Sequence, residues 1–170
     1  MTAPAAHLIT AIRRETAIIK HLATKVPAGQ LNYRPTPPQR STIDLLRYLT
    51  VIGVNATKYC LNGNWDHAKG SSAHAATLAV VDIPAAMDRQ LAEIEAVLAP
   101  LTAADLANRT VAIPWGGKSA LGDALLELPV GFLTAYRMQL FLYEKSSGAS
   151  QLGTMDLWAG QSPPAKAAAH

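Results

Sequence analysis

Four long stretches of this chain repeat apolar residues at three-and-four spacing, each closed by proline or glycine, and that pattern restricts the fold to packed helices. The first stretch runs roughly from Pro4 to Val26, with Leu8, Ile12, Ile19, Leu22 and Val26 on one stripe and Pro27 and Gly29 ending it. The second runs from about Thr42 to Asn62, with Ser41 as N-cap, Asp44 near the positive end of the helix dipole and Gly63 as the stop. The third places Asp82 as cap and Pro84 in the first turn, then Ile83, Met87, Ile94, Leu98 and Leu101 on one face. The fourth spans about Ser119 to Ser147, ends at Gly148 and carries Pro129, which removes a backbone donor and predicts a kink.

The connections shape the topology. Residues 63–81 hold Gly, Ser, Asn and two histidines, long enough when extended to cross the full length of a helix, so the second and third helices need not be antiparallel neighbours. Arg109 to Lys118, with Val111 and Ile113 before Pro114, Trp115, Gly116 and Gly117, reads as an extended piece and a turn covering one end of the bundle. A short turn around Met155 to Trp158 is expected to dock as a lid. Residues 1–160 are expected to form one helical domain and 161–170 a frayed tail.

Charge excludes one class of partner. The 15 basic residues are spread along the chain against 12 acidic ones, so no phosphate-tracking surface is indicated and no nucleic acid is expected. No charged-then-apolar leader opens the sequence, and no stretch reaches the roughly 18 to 20 apolar residues of a membrane span. The expectation is a cytoplasmic protein without a membrane partner. Cys60, the single cysteine, forbids an internal disulfide. As a lone thiol without a histidine at a helical neighbour position, it reads as a packing residue.

Polar side chains on the inward stripes mark the candidate site. Glu15, Tyr48, Asn55, Tyr59 and Tyr136 fall beside leucines and isoleucines, where an unpartnered polar group costs on the order of 1 to 3 kcal/mol. On the second helix Tyr48, Ile52, Asn55 and Tyr59 share a face; on the fourth Phe132, Tyr136 and Tyr143 do, with Gln139 close to that line. Three readings stay open: a closed polar network, a small-molecule pocket, or acid–base chemistry using Glu15 and Tyr136. Arg34 and Arg137 are placed to hold a ligand carboxylate or phosphate, or to anchor a loop carbonyl or an acid such as Asp44. Trp115 and Trp158 are expected to pack on the bundle end.

The phrase Leu31, Asn32, Tyr33, Arg34, Pro35 leading into Ser41, Thr42, Ile43 and a helix with Leu45 and Leu46 resembles the entry to the second helix of DinB-like four-helix bundles. Tyr136, Arg137, Met138 and Gln139 followed by Gly148 resemble that family's fourth helix, and the likeness extends from the first helix to Gly148. It implies an all-α, up-down-down-up bundle, frequent homodimers, and in many members a divalent metal held by three histidines; some members are thiol-dependent transferases. The chain departs from the family at those positions, with Tyr48 on the second helix and Phe132 and Tyr136 on the fourth. A phenylalanine has no lone pair for a metal and a neutral phenol is a poor ligand, so no metal and no cofactor are expected. His7 and His21 are read on the outer side of the first helix, and His67 and His74 as solvated crossover residues. The expectations are therefore a metal-free domain binding a small molecule, with Glu15, Tyr48, Asn55, Tyr59, Phe132, Tyr136, Arg137 and Gln139 as pocket candidates. The alternatives are a metal-independent or thiol-dependent transferase and a structural or dimerisation module.

Overall fold

The computed structural model describes residues 3–162. The expected tail therefore falls almost wholly outside the described residues. Four helices form the bundle: α1 (Ala3–Ala23), α2 (Thr42–Asn62), α4 (Ile83–Leu98) and α7 (Gly131–Ser146). Between them lie α3 (Ala68–Ala75), α5 (Ala103–Asn108) and α6 (Leu121–Leu125), a two-stranded antiparallel hairpin of β1 (Thr110–Ala112) and β2 (Lys118–Ala120), and a closing helix, α8 (Thr154–Ala159).

Side-chain pairs fix the helix directions. Arg13 reaches Glu95 and Lys20 reaches Asp88, so α1 and α4 run antiparallel. Val54 meets Gln90 and Lys58 meets Glu93, so α2 and α4 run parallel, which a short loop cannot achieve. Tyr48 touches Tyr136 while Cys60 touches the Ala124 carbonyl, which sets α2 antiparallel to α7. The order is up-down-down-up, as the resemblance implied.

Local sequence explains most boundaries. Ser41 accepts the Asp44 N–H at 3.3 Å, and the Tyr33 and Leu31 carbonyls accept the N–H groups of Thr42 and Ile43 at 2.9 Å each. The loop before α2 thus satisfies donors that a helix start leaves open. Gly63 ends α2 with φ of 75°, donating to the Tyr59 carbonyl at 2.8 Å. Where α2 passes closest to α4 and α7, a Cβ on Gly53 would lie 3.1 Å from Gln90 Oε1 and 3.2 Å from Leu133. Gln90 clamps that crossing, donating to the Leu49 carbonyl at 2.9 Å and accepting the Val54 N–H at 3.2 Å.

Several expectations need correction. α1 ends at Ala23 rather than Val26, because Pro27 disfavours helical geometry in the residue before it; the chain leaves through turns closed at the His21 and Leu22 carbonyls. The crossover is not simply extended: it holds α3 and a 3-10 turn, Val80–Asp82. Asp82 caps that turn, accepting the Ala79 N–H, and leaves α4 without a side-chain cap. Thr102 and Asp105 form a capping box that starts α5, a helix the apolar periodicity did not reveal. Ser119 belongs to β2, so the fourth segment begins at Leu121. Pro129 produces a π-helical turn over Leu126–Val130, in which the Gly131 N–H reaches back five residues to the Leu126 carbonyl.

The closing helix docks through buried charge. Arg137, 1% exposed, donates from Nε to Glu15 Oε2 at 2.6 Å and from its terminal nitrogen to the Leu157 carbonyl, and Trp158 lies over its guanidinium at 5.2 Å. His21 is not an outward residue as expected: its Nε2 lies 2.8 Å from buried Asp156, which also accepts the Gly153 N–H and the Ser162 hydroxyl. Burial alone would raise the Asp156 carboxyl, but the Gly153 N–H, His21 and Ser162 together hold it below the ordinary range. Nearby Glu144 is fully buried, and neither carboxyl oxygen has a partner among the described residues. Burial first, and then the Asp156 charge, push it up to about 9, against a weaker pull from Lys25.

Two stability predictions follow from these groups. Replacing Arg137 by Met leaves Glu15 buried without its partner, so urea unfolding should show a loss of roughly 3 to 5 kcal/mol; the Glu15→Leu, Arg137→Met double variant should recover much of it. Glu144 has a folded pKa of about 9 against 4.5 for the free group, so its penalty is absent below pH 4.5, grows with rising pH and is complete above about 9. Glu144→Gln should therefore stabilise the protein at neutral pH, by up to roughly 3 kcal/mol, with the gain vanishing when unfolding is measured below about pH 4.

Candidate functional site

The three positions singled out on the second and fourth helices do converge. The Tyr48 and Tyr136 rings meet edge to face at 4.9 Å, Phe132 lies 6.3 Å from Tyr136, and Trp115 at the hairpin tip lies 6.2 Å from Phe132. Four rings from α2, α7 and the hairpin thus form one column. The Arg40 guanidinium covers its α2 end, 3.8 Å over the Tyr48 ring and 5.7 Å from Tyr136. Such stacking on a ring face holds a guanidinium in place without using its N–H donors.

Beside Tyr48 lies a cavity of about 190 Å³, walled by Arg40, Asp44, Arg47 and Val51 on one side and by Ser72 and Ala75 of α3, with Ala76 just after it, on the other. α3 can lie this close to α2 because the residues it offers are small. Asn55 holds it there: its side-chain oxygen accepts the Ser71 hydroxyl at 2.9 Å, and its carbonyl lies 3.1 Å from His67 Nε2. His67 is thus a structural tether, not the solvated residue expected.

The remaining candidates do not share this place. Glu15 and Arg137 pair under α8, on the α1 side of α7, whereas Tyr136 faces Tyr48 on the α2 side, so the suggested Glu15–Tyr136 acid–base pair is not assembled. Tyr59 stacks on Trp65 at 4.6 Å. Gln139 donates to the Tyr143 hydroxyl at 2.6 Å and lines a separate groove with Tyr33, Met138 and Leu142. Arg34 lies 4.0 Å from Asp44, the acid anticipated for it. Cys60 is buried against the Ala124 carbonyl, and burial pushes its thiol up to about 12, which leaves it protonated at neutral pH.

The sequence reading passed over Arg40, Arg47 and Ser72. Arg40 sits in the Pro-rich run before α2, where nothing periodic marks it; its position two residues before Thr42, next to the Ser41 cap, was the available signal. Among the described residues no three His, Cys, Asp or Glu side chains are grouped as a metal site.

The Tyr48 phenol is pushed up to about 12, first by burial and then by the adjoining Tyr136, with Arg40 opposing. Its folded value stands above the ordinary 10, so it stays neutral through the physiological range and its contribution to stability is lost only as pH rises from about 10 to 12. An ultraviolet difference titration should show one tyrosine ionising near pH 12, and Tyr48→Phe should delete that late step.

No known family profile matches the sequence, and no curated protein matches it. Among solved structures, a DinB-like protein from Bacillus subtilis, seen in a crystal structure at 2.30 Å, superimposes with a TM-score of 0.63 at 19% identity. The match covers 87% of this chain and 96% of that one. With the helix directions given above, the chain has the fold of a DinB-like helical bundle.

Proposed function

We propose that this chain is a metal-independent domain of DinB-like fold that binds a small molecule in the cavity between α2 and α3. The observation that carries the reading is the cavity itself: about 190 Å³ bounded by Tyr48, Val51 and the small residues of α3, in the cleft beside the aromatic column. Cavities of roughly 150 Å³ hold a single benzene ring, which sets the scale of the ligand.

The donor set supports metal independence. Where the resemblance implies three imidazoles, Phe132 offers no lone pair and Tyr48 offers a phenol that keeps its proton at neutral pH. Phe132, Tyr136 and Tyr48 also fill the space against one another. The residues present do not fit a three-nitrogen divalent site.

A second reading has its own observation. Leu142 on α7 is 52% exposed and lines, with Ala135, Met138 and Tyr33, an apolar groove of about 380 Å³, which suits association of two copies and the homodimer that the resemblance implies. Sedimentation of Leu142→Glu beside the parent chain tests it, dissociation being the supporting result.

Two measurements test the main reading. Metal analysis of purified protein should find no stoichiometric zinc or nickel; finding either one would overturn metal independence. In a thermal-shift screen, single-ring compounds, both neutral and charged, should raise the melting temperature of the parent chain by mass action and lose that effect in Val51→Phe, which fills the cavity. A ring compound that stabilises both proteins equally binds elsewhere and sinks the assignment.

A further inference from the structure

The cavity mouth is unequal in charge. Two guanidiniums, Arg40 and Arg47, line it with one carboxylate, Asp44, and Arg34, outside the lining, approaches that same carboxylate. Asp44 is already engaged: it accepts the Ser41 hydroxyl at 2.5 Å and lies 3.6 Å from Arg47 and 4.0 Å from Arg34. Arg47 is tied further by donating from Nε to the Leu78 carbonyl at 2.9 Å. Arg40 differs from both. Among the described residues it makes no ion pair and no side-chain hydrogen bond, yet its guanidinium is seated on the Tyr48 ring at the cavity edge. An arginine usually loses side-chain freedom when it grips an anion; here the ring has already fixed it, with its planar fork of donors unused.

Tyr48 and Val51 supply the apolar wall beside that fork, and the Ser72 hydroxyl stands across the cavity on α3. A ligand filling this space would place one anionic group at the rim and one ring-sized apolar body inside. From this geometry we infer that the cavity takes a small aromatic carboxylate, its carboxylate received by Arg40 and its ring lying against Tyr48 and Val51. This rests on the ligand-binding reading above and adds the chemical class. The Asp44 carboxylate opposes such a ligand, and Arg34 and Arg47 offset its charge.

The test uses the full chain and calorimetric titration with three probes: benzoate, its neutral counterpart benzamide, and inorganic phosphate. Benzoate should bind at least about tenfold more tightly than benzamide, the scale of one charge-assisted hydrogen-bonded contact, and the difference should shrink as salt is raised. Arg40→Ala should lose the preference for benzoate while keeping weak binding of benzamide. Because Arg40 is exposed, circular dichroism of that variant should match the parent chain and its melting point should fall by no more than a few degrees, the scale of one lost ring contact, and Arg40→Lys should restore part of the preference. Equal affinity for benzoate and benzamide, or a benzoate affinity unchanged in Arg40→Ala, overturns the anionic class while leaving a neutral-ligand cavity standing. Phosphate binding as tight as benzoate overturns the aromatic half of the inference. If neither ring compound binds, the inference and the cavity reading fall together.

Discussion

The buried Arg137–Glu15 pair is the contact on which the arrangement of the bundle turns. A guanidinium taken out of water is stable only where carboxylate and carbonyl oxygens meet its donors, and here those oxygens come from α1 and from α8. One side chain on α7 therefore fixes the parallel neighbour α1 and draws the closing helix down over the same spot. The His21–Asp156 contact repeats the logic nearly two turns along α1, and Gly160 lets the end of α8 lie so close that a Cβ there would stand 3.2 Å from the Ile18 Cα. The cluster tolerates one uncompensated group, Glu144, because a carboxyl raised to about 9 keeps its proton and stays neutral.

That polar cluster occupies one side of α7, and its opposite side is aromatic. Two residues next to each other on α7, Tyr136 and Arg137, thus serve unrelated surroundings: one joins the ring column against α2, the other the ion pair against α1. The separation decides what the interior can do. Glu15 and Tyr136 do not meet, so the acid–base pair suggested for them is not assembled, and the cavity beside the ring column lies outside the core, between α2 and the thin helix α3. α3 buries only Ala75 among its eight residues and is held by Asn55, so this wall depends on a polar tether more than on hydrophobic packing.

Much of the bundle was legible in the chain itself. The α2 limits followed from Ser41 and Gly63, whose capping roles are local, and the buried faces of α1 and α4 followed from three-and-four spacing. Convergence of Tyr48, Phe132 and Tyr136 was legible through the resemblance. The short elements were hidden because α3 and α5 bury one residue each, Ala75 and Leu106, too few to make a periodic pattern. Arg40 was hidden for a different reason: its role comes from lying over a ring eight residues away, which no spacing rule encodes.

By itself the sequence determined that four amphipathic helices must bury their stripes against one another and that α2 starts and stops where it does. These are properties of local chain geometry and of side-chain chemistry, both carried by the residues in place. Only the tertiary structure decided the partners of the inward polar groups, pairing Glu15 with Arg137 and Asn55 with Ser71 and His67 while bringing the rings into one column. The physical reason is that a buried polar group accepts any correctly oriented partner, and orientation between helices is set by the packing of the whole bundle.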